Sequence, residues 1–353
     1  MTNFEISERL TNLDPYLPLD GDFTTRLDAN ESFISSTLRS ADYSSILADI
    51  ELNRYPDPSA KALNDAFACR YSLKPELVTA GNGSDELIAL ITEIFLEDGE
   101  ALMILHPDFS MYSIYPKIRN ANCIAHYKDT NFDISVEKLL EDIYSRKPKM
   151  LIFSNPCNPT GKIMSKVDVL QIVKNSGILT VVDEAYMDFA DEPQSVIQNI
   201  NEFPNLIVLK TASKYGLAAL RLGFAVSNSK ITNVLKATKS PYNVNSLSQA
   251  LGAYILSPTS SLSDDILAIR ASRIELYSEL LKLENVLGVP FEVVKSDTNF
   301  VFAKSIKASD IFEYLKKCGI AVRLFDKALR ITAGSKSENA LLLKSLTKLK
   351  NGI

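Results

Sequence analysis

The sequence predicts an α/β protein, with a large domain on a mostly parallel sheet flanked by helices and a smaller α+β domain at the C-terminal end. Three observations lead there. Short apolar runs alternate with longer amphipathic ones through the middle of the chain. That rhythm changes in the last third. The length, 353 residues, exceeds what one simple core organises. The reading divides the chain into residues 1–30, an N-terminal arm; 31–260, the large domain; and 261–353, the small one.

Strands are predicted at Leu102–Leu105, Met150–Phe153, Leu179–Val182, Leu206–Leu209 and Gly223–Ser227. Each is short and nearly all apolar, as strands buried on both faces of a parallel sheet must be. Helical periodicity falls between them, as in Leu87–Leu96 and Lys166–Asn175. The Ser/Thr-rich stretches Ser32–Ser45 and Ser257–Ser263 read as loops. Beyond them, Asp264–Glu284 reads as one long helix, and Phe291–Val294 and Asn299–Phe302 as strands. A helix at Ser309–Lys317 is stopped by Gly319. Strands near Ala321–Leu324 and Ala328–Thr332 precede a terminal helix rich in Lys and Leu.

Composition excludes several classes. Hydrophobic residues at 46% and charged ones at 23% make an ordinary globular chain. A net charge of -5 gives no basic footprint for nucleic acid. No apolar run approaches a membrane span, and the N-terminal MTNFEISERL lacks the pattern of a signal peptide, so a cytoplasmic location is expected. The four cysteines, Cys69, Cys123, Cys157 and Cys318, are scattered. With only His106 and His126 besides, neither a disulfide framework nor a metal site is expected.

Four segments carry chemistry. Ala80-Gly81-Asn82-Gly83-Ser84-Asp85-Glu86 precedes a helical run, and a glycine turn at a helix start is built to bind phosphate. The same residues would also serve as a plain loop and cap. Ser154-Asn155-Pro156-Cys157-Asn158-Pro159-Thr160-Gly161 follows a strand, at the end where α/β sheets bind ligands. A rigid turn is the alternative there. Asp183 closes the strand before Glu184-Ala185-Tyr186; a carboxylate in that place needs a cation, or else caps a loop. Lys214 follows another strand in Thr211-Ala212-Ser213-Lys214-Tyr215-Gly216, with Arg221 further on. A lysine in a partly apolar pocket can act as an amine nucleophile, although a solvated lysine is the commoner case.

Taken together, in this order and at these separations, the segments resemble the fold-type I aminotransferases of class I and II, over nearly the whole chain. The resemblance implies pyridoxal 5′-phosphate as cofactor. It implies that Lys214 carries the cofactor as a Schiff base and shuttles the proton, and that Asp183 pairs with the pyridine nitrogen. Asn158 and Tyr186 would bond the cofactor's 3-oxygen. Gly83, Ser84, Asp85, Thr211, Ser213 and Arg221 would hold its phosphate, and Phe109 would stack on the ring. Tyr55, in Arg54-Tyr55-Pro56-Asp57-Pro58, matches a tyrosine that reaches the neighbouring subunit's phosphate, so a homodimer with shared active sites is implied. Residues 1–30 would then join the small domain and the dimer interface. Arg330 matches the arginine that clamps a substrate carboxylate.

Within that family, Leu13-Asp14-Pro15-Tyr16, Leu27-Asp28-Ala29-Asn30-Glu31 and Pro241-Tyr242-Asn243-Val244-Asn245 are similar to the histidinol-phosphate branch. That branch implies histidinol phosphate as amino donor and 2-oxoglutarate as acceptor. Tyr16, Asn30, Asn158, Arg323 and Arg330 are the implied substrate contacts. Two departures stand out: Glu31 is followed by Ser32-Phe33-Ile34 where the branch has Asn-Pro-Tyr, and the Lys214–Arg221 interval is one residue shorter than in aspartate aminotransferases. An aromatic-amino-acid aminotransferase and a threonine-phosphate decarboxylase remain open as alternatives. A non-catalytic ligand sensor is less in keeping with the retained Lys214 and with the lack of room for an N-terminal DNA-binding domain.

Overall fold

The apolar runs become the inner strands of a seven-stranded sheet. The computed structural model describes residues 4–11, 13, 17–35, 43–258, 260–284 and 291–349. In chain order the strands are β1 (Thr25–Arg26), β2 (Val78–Asn82), β3 (Ala101–His106), β4 (Asn122–Tyr127), β5 (Met150–Ser154), β6 (Leu179–Asp183) and β7 (Leu206–Thr211). They continue as β8 (Leu222–Ser227), β9 (Glu292–Val294), β10 (Phe300–Lys304), β11 (Ile320–Ala321), β12 (Arg323–Phe325) and β13 (Ala328–Thr332). The large sheet has the order β2-β8-β7-β6-β5-β3-β4. Only β8 runs against its neighbours.

Alternation explains why the central strands are apolar over most of their length. Leu151 and Phe153 of β5, Val182 of β6, and Leu206 and Val208 of β7 pack into one core. Met150 and Ile152, Val181, and Ile207 and Leu209 pack into a second core on the opposite face. Helices cover both sides, so no residue of these strands can face water. The helix Lys166–Ser176 shows the local rules at work: Ser165 accepts a hydrogen bond from the Asp168 N–H, and Gly177, at φ 67°, ends it.

A four-stranded antiparallel sheet, β12-β13-β10-β9, forms the C-terminal unit. The helices Leu262–Leu283, Ala308–Lys317 and Lys336–Leu349 enclose its core with Leu27. The N-terminal segment is stitched to this unit: β1 pairs with β11, and the Thr332 N–H donates to the Leu27 carbonyl.

Two expectations need correction. The run Ala321–Leu324 is not one strand. It divides at Val322 because β1 offers only two residues of pairing, after which β13 becomes the partner. The stretch Ser32–Ser45 is not all loop, since Tyr43–Ala48 is helical; residues 36–42 lie outside the described residues.

Candidate active site

Topology gathers the four segments. Strands β5, β6 and β7 are parallel, so their carboxyl ends share one edge. β8 is antiparallel to both β7 and β2, which brings the end of β2 and the start of β8 to that same edge. Asn82 lies opposite Leu222, and Thr211 opposite Gly223. A cavity of ≈ 430 Å³ opens there.

Asp183 ends β6 and faces this cavity, 5% exposed. Its carboxylate accepts hydrogen bonds from the Tyr112 hydroxyl at 2.7 Å and the Ala185 N–H at 3.0 Å. Both donors are neutral. Burial therefore dominates, and the carboxyl is pushed up to about 6, against the opposing pull of Tyr112 and Ala185.

Arg330 reaches in from β13 of the small sheet. Its Nη1 donates to Asn158 Oδ1 at 2.6 Å and its Nη2 to the Asp28 carbonyl at 2.6 Å. Asn158 is anchored in turn, its N–H donating to Ser154 Oγ at 3.0 Å. Asn30 takes a left-handed backbone at φ 54°, which asparagine tolerates. Its Nδ2 donates to the Tyr186 hydroxyl at 2.9 Å. Lys214 Nζ stands 5.8 Å from the centre of the Tyr186 ring, and Lys214, Tyr186, Asn30 and Arg330 all line the cavity.

The helix Ser84–Phe95 points its N-terminus at the same space. Gly83 precedes it at φ 84°, and a Cβ there would lie 2.7 Å from Arg221 Nη2. A Cβ on Gly223 would lie 2.3 Å from the Gly83 carbonyl carbon and the Ser84 nitrogen. Both positions thus admit only glycine, and the backbones meet closely enough to form a cradle. Arg221 Nη2 bonds Asp85 at 3.1 Å, while Thr211 Oγ1 donates to Ser213 Oγ at 2.9 Å.

Phe109 lines the cavity, edge-on to Tyr112 with ring centres 5.5 Å apart. Tyr112 is a site residue that sequence reasoning missed; only its place three residues after Phe109 hints at it. Met111, Tyr115 and Glu31 line the cavity too. Arg323 does not line it. It sits half-buried on β12, in register with Arg330. Tyr55 is apart from the cavity, 80% exposed and stacked on Tyr242 at 4.4 Å. Tyr16 lies outside the described residues.

Fold and site together bring a lysine, a buried carboxylate and a glycine-built cradle at a helix start to one cavity. The family model for aminotransferase class I and II matches residues 24–346, and the chain belongs to that family. Its relatives narrow the branch. It is 40% identical to the histidinol-phosphate aminotransferase of Clostridium novyi over 333 residues, 92% of this chain and 91% of that one. It is 35% identical to that of Clostridium kluyveri over 353 residues, 97% of each. Among solved structures, the histidinol-phosphate aminotransferase of Sinorhizobium meliloti in complex with pyridoxal-5′-phosphate superposes with a TM-score of 0.83 at 20% identity, covering 98% of this chain and 97% of that one. That of Clostridium acetobutylicum gives 0.82 at 23% identity, covering 93% and 100%. The chain is a pyridoxal-phosphate-dependent aminotransferase acting on small molecules.

The residues present suit that cofactor. Asp183 is a buried carboxylate with only neutral donors, which a protonated ring nitrogen would complement. The cradle of Gly83, Ser84 and Gly223 offers backbone N–H groups at a helix start, which an anion fits.

Proposed function

We propose that this aminotransferase takes its amino group from L-histidinol phosphate and passes it to 2-oxoglutarate, as a cytoplasmic homodimer. The observation that carries this reading is the pairing of Arg330 with Arg323 across β13 and β12. Directly opposite residues in an antiparallel pair share a face, so Arg323 stands beside Arg330, which lines the cavity. A donor with a distal anion suits such a pair, and so does glutamate with its two carboxylates. The names of the relatives support the same substrate.

Pyridoxal phosphate, when bound, supplies an electron-accepting ring that takes up the electron pair released as the substrate's α-hydrogen leaves. Asp183 would keep the ring nitrogen protonated. Asn158 and Tyr186 would bond the ring's oxygen, each already aligned by a neighbour, Arg330 and Asn30. Lys214 would hold the cofactor and then, as a free amine, carry a proton on Nζ. Arg330 would orient the substrate carboxylate, and Arg323 the distal phosphate or γ-carboxylate.

Half-reaction rates with histidinol phosphate, glutamate and phenylalanine test this. In Arg323→Ala the first two should fall by a few kcal/mol of barrier while phenylalanine, with no distal anion, is nearly unchanged. A uniform loss would remove the role of Arg323, and a wild-type preference for phenylalanine would move the enzyme to the aromatic class.

A further inference from the structure

We propose that Lys128 and Cys157 are an oxidisable pair, which hydrogen peroxide joins into a covalent N–O–S bridge beside the active site. Lys128 follows β4, and Cys157 precedes Asn158 in the turn after β5. Lys128 Nζ lies 2.9 Å from Cys157 Sγ. The nitrogen and sulfur are thus in direct hydrogen-bonding contact. Both groups are buried, the Lys128 side chain 5% exposed and Cys157 3%. Both also line a second cavity of ≈ 390 Å³, large enough to admit peroxide.

The surroundings suit the chemistry. Peroxide oxidises cysteine as its thiolate, and Cys157 Sγ sits against the Lys128 ammonium. Burial pulls the Lys128 amine down, but Cys157 and Asp108 more than offset that and hold it charged. Asp108 Oδ2 is 3.7 Å from Nζ.

Two peroxides are consumed. In the first step the thiolate attacks one peroxide: an S–O bond forms, the O–O bond breaks, and the departing hydroxide takes the Lys128 ammonium proton and leaves as water, so a sulfenic acid and a neutral amine remain. In the second, the neutral amine attacks another peroxide, giving a hydroxylamine and water. The hydroxylamine oxygen then displaces the sulfenic hydroxyl from sulfur, and a third water departs. Sulfur and nitrogen have each lost two electrons.

The bridge would reach the site through few bonds. It removes the Lys128 charge from beside Asp108. Asp108 accepts hydrogen bonds from the Ser154 N–H at 3.1 Å and from the Ser154 hydroxyl. Ser154 Oγ in turn holds the Asn158 N–H.

The test treats holoenzyme with hydrogen peroxide, digests it without reductant and reads the peptides by mass spectrometry. The expected product is a pair joined at Lys128 and Cys157, heavier than its parts by one oxygen and lighter by two hydrogens. It should vanish with dithiothreitol and be missing from Cys157→Ala. Turnover should fall with the joined fraction and return on reduction, while Cys157→Ala keeps its activity at the same dose. In Lys128→Arg, which keeps the charge, Cys157 should run on to the sulfinic acid. Wild-type Cys157 found as thiol or sulfinic acid with no link to Lys128 overturns the proposal, as does a pair lacking the extra oxygen. A complete bridge with unchanged turnover overturns its coupling to the site.

Discussion

At the scale of residues, Asp183 carries opposed demands. Its carboxyl is raised from 3.8 to about 6 by burial. The folded protein without cofactor therefore binds a proton that the unfolded chain has released, and its stability falls as pH rises from about 4 to 6. Above that range the ionised group costs about 2–3 kcal/mol. Asp183→Asn without cofactor should thus melt higher than wild type at pH 8, with the gap closing below pH 4; calorimetric scans across pH read this directly. The same variant with cofactor should lose far more than tenfold in turnover, or about 1.4 kcal/mol of barrier. A variant that keeps its turnover would show that Asp183 is not the ring's partner. Borohydride reduction should fix the cofactor on Lys214, and peptide mapping should find the label there and on no other lysine. Both residues stood out in the sequence only through the order and separation of the four segments, since either alone also reads as a loop cap or a solvated lysine. Tyr112 did not, since a tyrosine in a short turn reads the same whether it packs or donates to Asp183. The contact of Lys128 with Cys157 was equally hidden, because no local pattern brings together residues on different strand ends.

At the scale of elements, legibility followed burial. β5, β6 and β7 were plain because both their faces are covered and most of their positions are apolar. β4 is an edge strand, part-exposed along its length, and β2 includes Gly81 within five residues, so neither shows that signature. β2 matters most to the site through its junction with β8. Gly223→Ala would push a methyl into the backbone of Gly83 and Ser84, which no rotamer can relieve. A loss of about 3 kcal/mol is expected, together with weaker cofactor retention. Gly177 is the control. It has a positive φ but open space around its Cβ, so alanine there should cost only about 1 kcal/mol. Urea midpoints for the two variants decide whether close approach or backbone strain dominates.

At the scale of the whole molecule, the division into a large and a small unit could be read from the change of rhythm, whereas assembly was implied only by the resemblance at Tyr55. Tyr55 and Tyr242 form an exposed aromatic pair away from their own chain's cavity. We expect that pair to meet the cavity of a second subunit. Sedimentation should give a dimer, and an active monomer would contradict it. Mixing Lys214→Ala with Tyr55→Ala subunits should restore activity that neither has alone, since one site of each hybrid is then intact. No recovery on mixing would place Tyr55 outside the partner's site.

The insertion of β8 between β2 and β7 also orders events during synthesis. β2 emerges early but cannot pair until residue 222 has left the ribosome. Arg330 and the Thr332 partner of Leu27 and Asn30 come later still. Such long-range pairings form late in folding. The cavity is therefore completed only after residue 332 has been made. A message truncated before β13 would leave a chain without Arg330, the group that would orient the substrate carboxylate, and no supply of cofactor replaces it.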